Sequence, residues 1–499
     1  MIPSNRSLPT NLAGCIVKVK PLKEIFERKN NIAVIAGNPQ KAVMFLFWPL
    51  LLSFMVIAVN TYLDAFWVAG LGTDATSAVN AMSDIYGCIG AVGAGMGVAC
   101  AAAISFYLGD GNRKKAESLA CHSIIVCLIL SVLLGTLMFV LVDPFIDVLE
   151  LQDIKGLCYD YVMPLIWCNI ALLVNGALCG ILRAEGANLR TVIASFLTMA
   201  SVVFNPLFIV EFDMGVSGAA WGTIASTFLS TAYLVFVFVT KRNSIPVSFR
   251  GFRFDADALK ELLFISIPYG IQNSLRKLAG LVDKAIIVLI VGSTMGTAAI
   301  AVFALPWTYV RVVECLGLAF GAALIPVLGF NLGKRNYKKG DAAIKFTYIA
   351  AVVSSSAFAV IILVMAGPLI DILTMDESFA GDREIMVGIL IILAFVCPLY
   401  TVRDISFNIL QTLRKNNLCV VITFAMIALK LILMYIGGTL FGPLYMVTGN
   451  VLGQYIGGMA AFAFASYYWK RVDVEKINVP ENIAKRMDEL ENMKSSKKT

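Results

Sequence analysis

Asn60 and Asp64 are the first residues whose types and spacing could do chemistry. They lie inside the apolar run of residues 49–72, and at four residues apart they fall one turn apart on one helix face. A carboxylate at membrane depth costs about 2.5–3.5 kcal/mol on insertion scales, so it survives where it faces a partner or a water-filled cavity. Asp64 is therefore expected to take up and release a proton or a small cation; the plainer reading is a structural acid bonded between helices. A second set of charges lies at similar depth further along: Arg276, Lys277, Asp283 and Lys284, then Arg311 and Glu314, then Arg403, Asp404 and Lys430. Arg276 and Asp283, seven apart, share a face, and Arg311 and Glu314, three apart, can pair directly. These groups either neutralise one another inside a bundle or form the polar wall of a substrate cavity. Asp84 fits either role, as a polar partner or a cavity residue.

The elements that must position these groups follow from composition. Of 499 residues, 59% are hydrophobic and 15% charged, against roughly 25% charged in a soluble domain. The chain reads as an all-α, polytopic membrane protein in the lipid bilayer. Twelve apolar segments, near 43–69, 78–108, 118–142, 159–182, 188–211, 215–240, 262–291, 298–332, 343–366, 385–411, 417–437 and 443–469, are each long enough to cross the hydrocarbon core. They divide as a cytoplasmic N-terminal tail (1–42, with room for an interfacial helix), an N-terminal six-helix bundle (43–240), a basic linker (241–260), a C-terminal six-helix bundle (261–469) and a charged C-terminal tail (470–499). Basic clusters fall in the tails and even-numbered loops, acids in the odd-numbered ones, so the positive-inside rule puts both termini in the cytoplasm of a multi-pass plasma-membrane protein. Eleven Cys without CxxC spacing read as reduced small hydrophobes, and a lone His122 argues against a metal centre, so no metal or other cofactor is expected. The net charge of +7 reflects the basic loops rather than nucleic-acid binding. Gly90–Ala103 lacks the Lys-Ser/Thr of a nucleotide loop and reads as close helix packing.

The chain also repeats itself. Pro49 and Asp64 recur as Pro268 and Asp283. Gly93, Gly97, Phe106, Leu108, Gly109, Asn112, Lys114 and Lys115 recur 224 residues on as Gly317, Gly321, Phe330, Leu332, Gly333, Asn336, Lys338 and Lys339. Asn188-Leu189 recurs as Asn417-Leu418, and Gly215 and Gly222 as Gly442 and Gly449. Two halves entering from the same side imply a two-fold axis along the membrane normal and a cleft between them, where transporters hold substrate.

GNPQKAVMFLFWPLLLS, LDAFWVAGLGTDATSAV, SFYLGDGNRKKAE, ILRAEGANLR and GVSGAAWGTIAS resemble the patterns of the multidrug and toxic compound extrusion (MATE) transporters, prokaryotic branch, over about residues 37–470. The resemblance implies two six-helix bundles around a V-shaped cavity and export of organic compounds in exchange for H⁺ or Na⁺. It places the cation or proton site on Asn60 and Asp64, on Ser201 and Asn205 where the family pattern has a second Asn-x-x-x-Asp, and on Thr223. Here the second acid is replaced by Asn205, which disfavours a high-affinity Na⁺ site; Pro206 is expected to bend the helix beside it. Substrate-cavity candidates are Asp84, Arg276, Asp283, Arg311, Glu314 and Asp404. Arg276 stands near where some branches carry a seventh-helix acid and Asp404 only roughly fits the tenth-helix one, which allows anionic or zwitterionic substrates. A small organic substrate, a monomer and no ATPase partner are expected. The alternative is a lipid-linked saccharide flippase of the wider superfamily; no nucleophile motif supports an enzyme, and a sensor without transport is equally disfavoured.

Overall fold

Asn112 and Asn336, equivalent in the repeat, each start a long helix in the same way. The Asn side chain accepts from the backbone N–H three residues on, Lys115 in one half and Lys339 in the other, both at 3.2 Å. The computed structural model describes residues 30–149, 151–240, 243–247, 254–295, 302–373 and 382–472. Among these residues every regular element is a helix. A short α1 (Asn30–Ala36) leads into α2 (Pro39–Ala69), α3 (Thr73–Asp110), α4 (Arg113–Val148), α5 (Lys155–Trp167), α6 (Ile170–Ala184), α7 (Asn188–Thr198), α8 (Ser201–Pro206) and α9 (Gly215–Val239). The second half comprises α10 (Ala256–Met295), α11 (Trp307–Gly333), α12 (Tyr337–Val364), α13 (Ala366–Leu373), α14 (Arg383–Ala394), α15 (Cys397–Thr412), α16 (Asn416–Phe441) and α17 (Pro443–Arg471).

Eight described helices are long and apolar enough to cross a membrane, and the bent pairs α5–α6 (48°) and α14–α15 (45°) make ten. The long polar-studded α10 and α17 pack among them. With these two the described helices match the twelve segments, and the chain is a multi-pass membrane protein. The helices overrun the apolar runs at several ends: α2 starts at Pro39 and α10 at Ala256, inside the stretch read as linker. The tails before residue 30 and after 472, residues 241–242 and 248–253 of the linker, the acids Asp376 and Glu377, and Cys15 lie outside the described residues. The ten described Cys are free thiols.

The repeat is visible as packing. Gly93 and Gly97 of α3 lie against α6: a Cβ on Gly97 would come within 2.8 Å of the Gly176 carbonyl oxygen. Gly317 and Gly321 of α11 lie in the same way against Thr401 and Asn408 of α15. At the end of the molecule carrying the basic loops the halves touch across their pseudo-axis. A Cβ on Gly109 would strike the Phe330 carbonyl, and one on Gly333 would strike that of Phe106. Phe106/Phe330 and Gly109/Gly333 are repeat equivalents, so the contact is reciprocal, as a two-fold requires. Small residues here let two backbones meet where side chains would hold them apart. Phe47 of α2 also stacks on Phe320 of α11, ring centres 3.9 Å apart.

Polar contacts seal the same end. Tyr107 Oη donates to Glu261 Oε2 (3.1 Å), and the other oxygen of Glu261 pairs with Arg414, whose guanidinium lies 5.3 Å from the Phe106 ring centre. Lys115 pairs with Asp255, and Lys339 Nζ donates to the Ala36 and Gly37 carbonyls (3.1 and 3.0 Å). His122 is buried here; its Nε2 accepts from the Asp255 backbone N–H and its Nδ1 donates to the Ser118 carbonyl, both at 2.8 Å.

Candidate functional site

Four of the five expected coupling residues come together. Asn60 and Asp64 sit on the C-terminal half of α2, one turn apart, and the Asn60 amide donates to Asp64 Oδ2 (3.0 Å). Across from them the fifth span is broken. Helix α7 ends at Thr198, α8 restarts at Ser201, and after Pro206 the chain takes a π-helical turn over Leu207–Glu211. Proline removes one backbone donor and crowds the preceding turn, and a local π adjustment is one of the ways a membrane helix re-satisfies the freed backbone groups. That break presents Ser201 and Asn205, both buried, to α2. Ser201 Oγ lies 2.8 Å from Asp64 Oδ1 and 2.9 Å from Asn60 Oδ1, and Asn205 Nδ2 donates to Asp64 Oδ1 (2.8 Å).

The proton count in this cluster is short. One hydroxyl hydrogen on Ser201 faces two acceptors, so it satisfies Asp64 or Asn60 but not both. Asn205 Oδ1 is buried with no hydrogen-bond partner, and Asp64 makes no ion pair among the described residues. The cluster thus offers carboxylate, amide and hydroxyl oxygens with no cation of its own. A proton on Asp64 or a hard monovalent cation among these oxygens would complete it. No group of three or more His, Cys, Asp or Glu residues is placed to hold a metal among the described residues.

Thr223 makes no hydrogen bond to these four residues. Its hydroxyl donates to the Ala219 carbonyl of its own helix (3.1 Å), the ordinary fate of a helical Thr. Its neighbour Gly222 packs directly on the Asn205 amide oxygen and backbone.

The second half carries the counterpart of the cluster, with a difference. Asp283, equivalent to Asp64, pairs with Lys430 Nζ at 2.6 Å, their side chains 21% and 9% exposed. Lys430 stands 229 residues after Ser201, the same offset that relates Asn188 to Asn417. An ammonium therefore replaces the hydroxyl, and the second acid is neutralised from within. The acids of this half are neutralised inside the bundle, as one of the two readings expected, but the direct Arg311–Glu314 pair is corrected: each acid finds its partner on another helix. Glu314 pairs with Arg403 (3.1 Å), which also holds Asp404 (2.9 Å), while Arg311 is exposed. Asp84 faces Lys284 at 4.0 Å.

Between the halves lies a cavity of roughly 310 Å³, within the range of small-molecule sites. Its wall includes Phe54 and Asn175 from the first half, and Tyr269, Gln272, Phe407 and Asn408 from the second. Its charged residues are Arg183, Arg276 and Asp404. Arg276 and Asp404 are expected cavity residues; Arg183 had been counted only among the basic loops. The signal for Arg183 was its position, one residue past the apolar segment ending at 182, close enough to reach back into the cleft.

Comparison with known proteins fits this architecture. The MatE family model matches residues 49–208 and 281–436, one block in each half. The chain is 19% identical over 447 residues to the multidrug export protein MepA of Staphylococcus haemolyticus, covering 88% of this chain and 96% of that one. It is 20% identical over 367 residues to an FAD transporter of Shewanella oneidensis, covering 70% and 78%. A MOP-superfamily transporter structure from Pyrococcus furiosus, described as having a binding pocket of reverse polarity, superposes with a TM-score of 0.84 at 22% identity over 90% of this chain and all of that one. An outward-facing MATE transporter structure superposes equally well, with a TM-score of 0.84 at 22% identity and the same coverage. The two matched blocks, falling one in each half of the helical repeat, place this chain in the MatE family of membrane transporters.

Proposed function

We propose that this protein is a secondary antiporter that exports organic compounds in exchange for H⁺ or Na⁺, with Asp64 as the coupling residue. The observation that carries the reading is the acceptor-rich, cation-free cluster of Asn60, Asp64, Ser201 and Asn205 at the break in the fifth span. Adding a proton or Na⁺ to Asp64 changes which hydrogen bonds α2 makes to α8. Because α2 also stacks on α11 through Phe47 and Phe320, a shift of α2 alters how the halves meet. A ligand moves such an equilibrium by its differential affinity for the two states. The seal of Phe106, Gly109, Phe330, Gly333, Glu261 and Arg414 is the contact that must open for access from the basic side. The basic loops support a cytoplasmic location for that side and for both termini, in a protein working as a monomer in the plasma membrane.

The relatives named above, an exporter and a cofactor transporter, support organic cargo and do not favour the lipid-linked saccharide flippase. The test is a substrate screen in an efflux-deficient host, repeated with Na⁺ removed and with the proton gradient collapsed. Resistance or dye efflux that depends on one of these gradients is the expected result. Efflux indifferent to both gradients would overturn the coupling.

A further inference from the structure

The cavity's charged groups are not all spoken for. Asp404 Oδ1 is held by Arg403 Nε (3.0 Å) and Nη2 (2.9 Å), and Arg403 also takes Glu314. Arg183 and Arg276 make no ion pair among the described residues. Three of their guanidinium nitrogens, Arg183 Nε and Arg276 Nε and Nη2, are buried without a hydrogen-bond partner. An unfilled buried donor on a charged group is costly, and more so in a site away from bulk water. Summed over Arg183, Arg276 and Asp404, the wall carries one net positive charge, and the Arg403–Glu314 pair behind it adds none. Each free guanidinium lies over an aromatic ring: Arg183 is 5.9 Å from the Phe54 ring centre and Arg276 is 5.1 Å from that of Phe407. Two acceptors in the wall are also open, Asp404 Oδ2 and Gln411 Oε1, both buried and unpartnered.

We propose that this cavity is built for an organic anion: an aromatic body bearing a carboxylate or phosphate-type group, with a hydroxyl or amide donor besides. The anionic group is held by Arg183 from the first half and Arg276 from the second. Guanidinium forks match carboxylate and phosphate oxygens in shape as well as charge. The rings of Phe54, Tyr269 and Phe407 cover the body, and the donor goes to Asp404 Oδ2. A cationic compound of the same size would meet two unpaired guanidiniums and, in the wall, one carboxylate already paired with Arg403. Because the two arginines come from opposite halves, the anion bridges them and is released when the halves separate. This assignment names the substrate class of the cavity in the export reading, but its binding step needs no gradient.

The experiment uses the full chain in lipid nanodiscs and two dyes sharing one xanthene skeleton, anionic fluorescein and cationic rhodamine 123. Binding is read by fluorescence anisotropy, with 1-naphthyl phosphate as competitor. Fluorescein is expected to bind more tightly than rhodamine 123, to be displaced by naphthyl phosphate and to weaken as salt rises. Each of Arg183→Met and Arg276→Met should weaken fluorescein roughly 10- to 100-fold, the worth of a charge-assisted hydrogen bond. Arg276→Lys, which keeps the charge but loses the fork, should fall between, and reads the same contact if the methionine variants do not fold. Tighter binding of rhodamine 123, fluorescein binding untouched by the variants, or no binding of either anion would overturn the proposal. Anion binding without gradient-driven export would leave this assignment standing and sink the antiport reading instead.

Discussion

Replacing Lys430 with Met tests whether the second-half acid is neutralised from within. Lys430 Nζ lies 2.6 Å from Asp283 Oδ2, the pair is mostly buried, and Asp283 Oδ1 has no hydrogen-bond partner at all. Methionine keeps most of the length of the side chain and removes the ammonium, which leaves a buried carboxylate with no donor. Breaking a buried pair in this way costs about 3–5 kcal/mol, and the remaining exposure of Asp283 points to the lower end. At roughly 2–4 °C per kcal/mol the melting temperature should fall by about 6–12 °C. The assay is thermal unfolding of the purified chain in detergent at one scan rate, since membrane-protein melting is often irreversible. Adding Asp283→Asn to Lys430→Met removes the orphaned charge and should recover more than half of the loss. The reasoning fails if Lys430→Met melts with the native chain, or if the double variant is no more stable than the single one. Asp64→Asn should behave differently, because Asp64 has no counter-ion to abandon and an amide can still accept from Ser201; its melting temperature should stay within a few degrees of native.

Other perturbations bear on the seal and the charged wall. Gly109→Leu would drive a side chain into the Phe330 backbone and should keep the basic end open, at a cost of about 1–3 kcal/mol for overpacking; a Cys placed at Tyr107 should then react with a membrane-impermeant maleimide from that side, and unchanged labelling would count against the seal. Arg403→Met strands Glu314 and Asp404 together and should destabilise the chain more than Arg311→Met, whose side chain is exposed; equal melting curves would contradict the assigned pairing. At Asp255, partial burial pushes the carboxyl up, but the bond to Lys115, that ammonium's charge and two backbone N–H groups outweigh it and hold the carboxyl below the usual range. A depressed folded pKa gives stability that is present above the unfolded value near 3.9 and is lost as pH falls through the folded one. The melting difference between native and Asp255→Asn should therefore shrink below about pH 4, and a difference that grew on acidification would refute it.

Much of this could be read along the chain, for identifiable reasons. The helical class, the repeat and the Asn60–Asp64 pair rest on local signals: apolar length, a fixed offset between equivalent residues and a one-turn spacing. Ser201 and Asn205 were reachable through the family pattern, and Pro206 marked the break that presents them. The partners of the second-half charges were not legible. Lys430 is 147 residues from Asp283, and Arg403 is 89 from Glu314; a spacing rule sees only neighbours on one helix, so it paired Glu314 with Arg311. Thr223 was named from its sequence context; its hydroxyl donates to its own helix, and its neighbour Gly222 packs on Asn205. Arg183 was missed because a basic residue at a span end reads equally as topology or as cavity lining, and only the packing of α6 against α3 decides between them.

The most direct measurement compares uphill and downhill transport by Asp64→Asn in the same proteoliposomes. Native protein should accumulate substrate against its gradient when H⁺ or Na⁺ flows the other way. Asp64→Asn should still exchange labelled for unlabelled substrate, since the cavity is intact, but should show no accumulation under any imposed ion gradient. Full gradient-driven accumulation by Asp64→Asn would contradict the account.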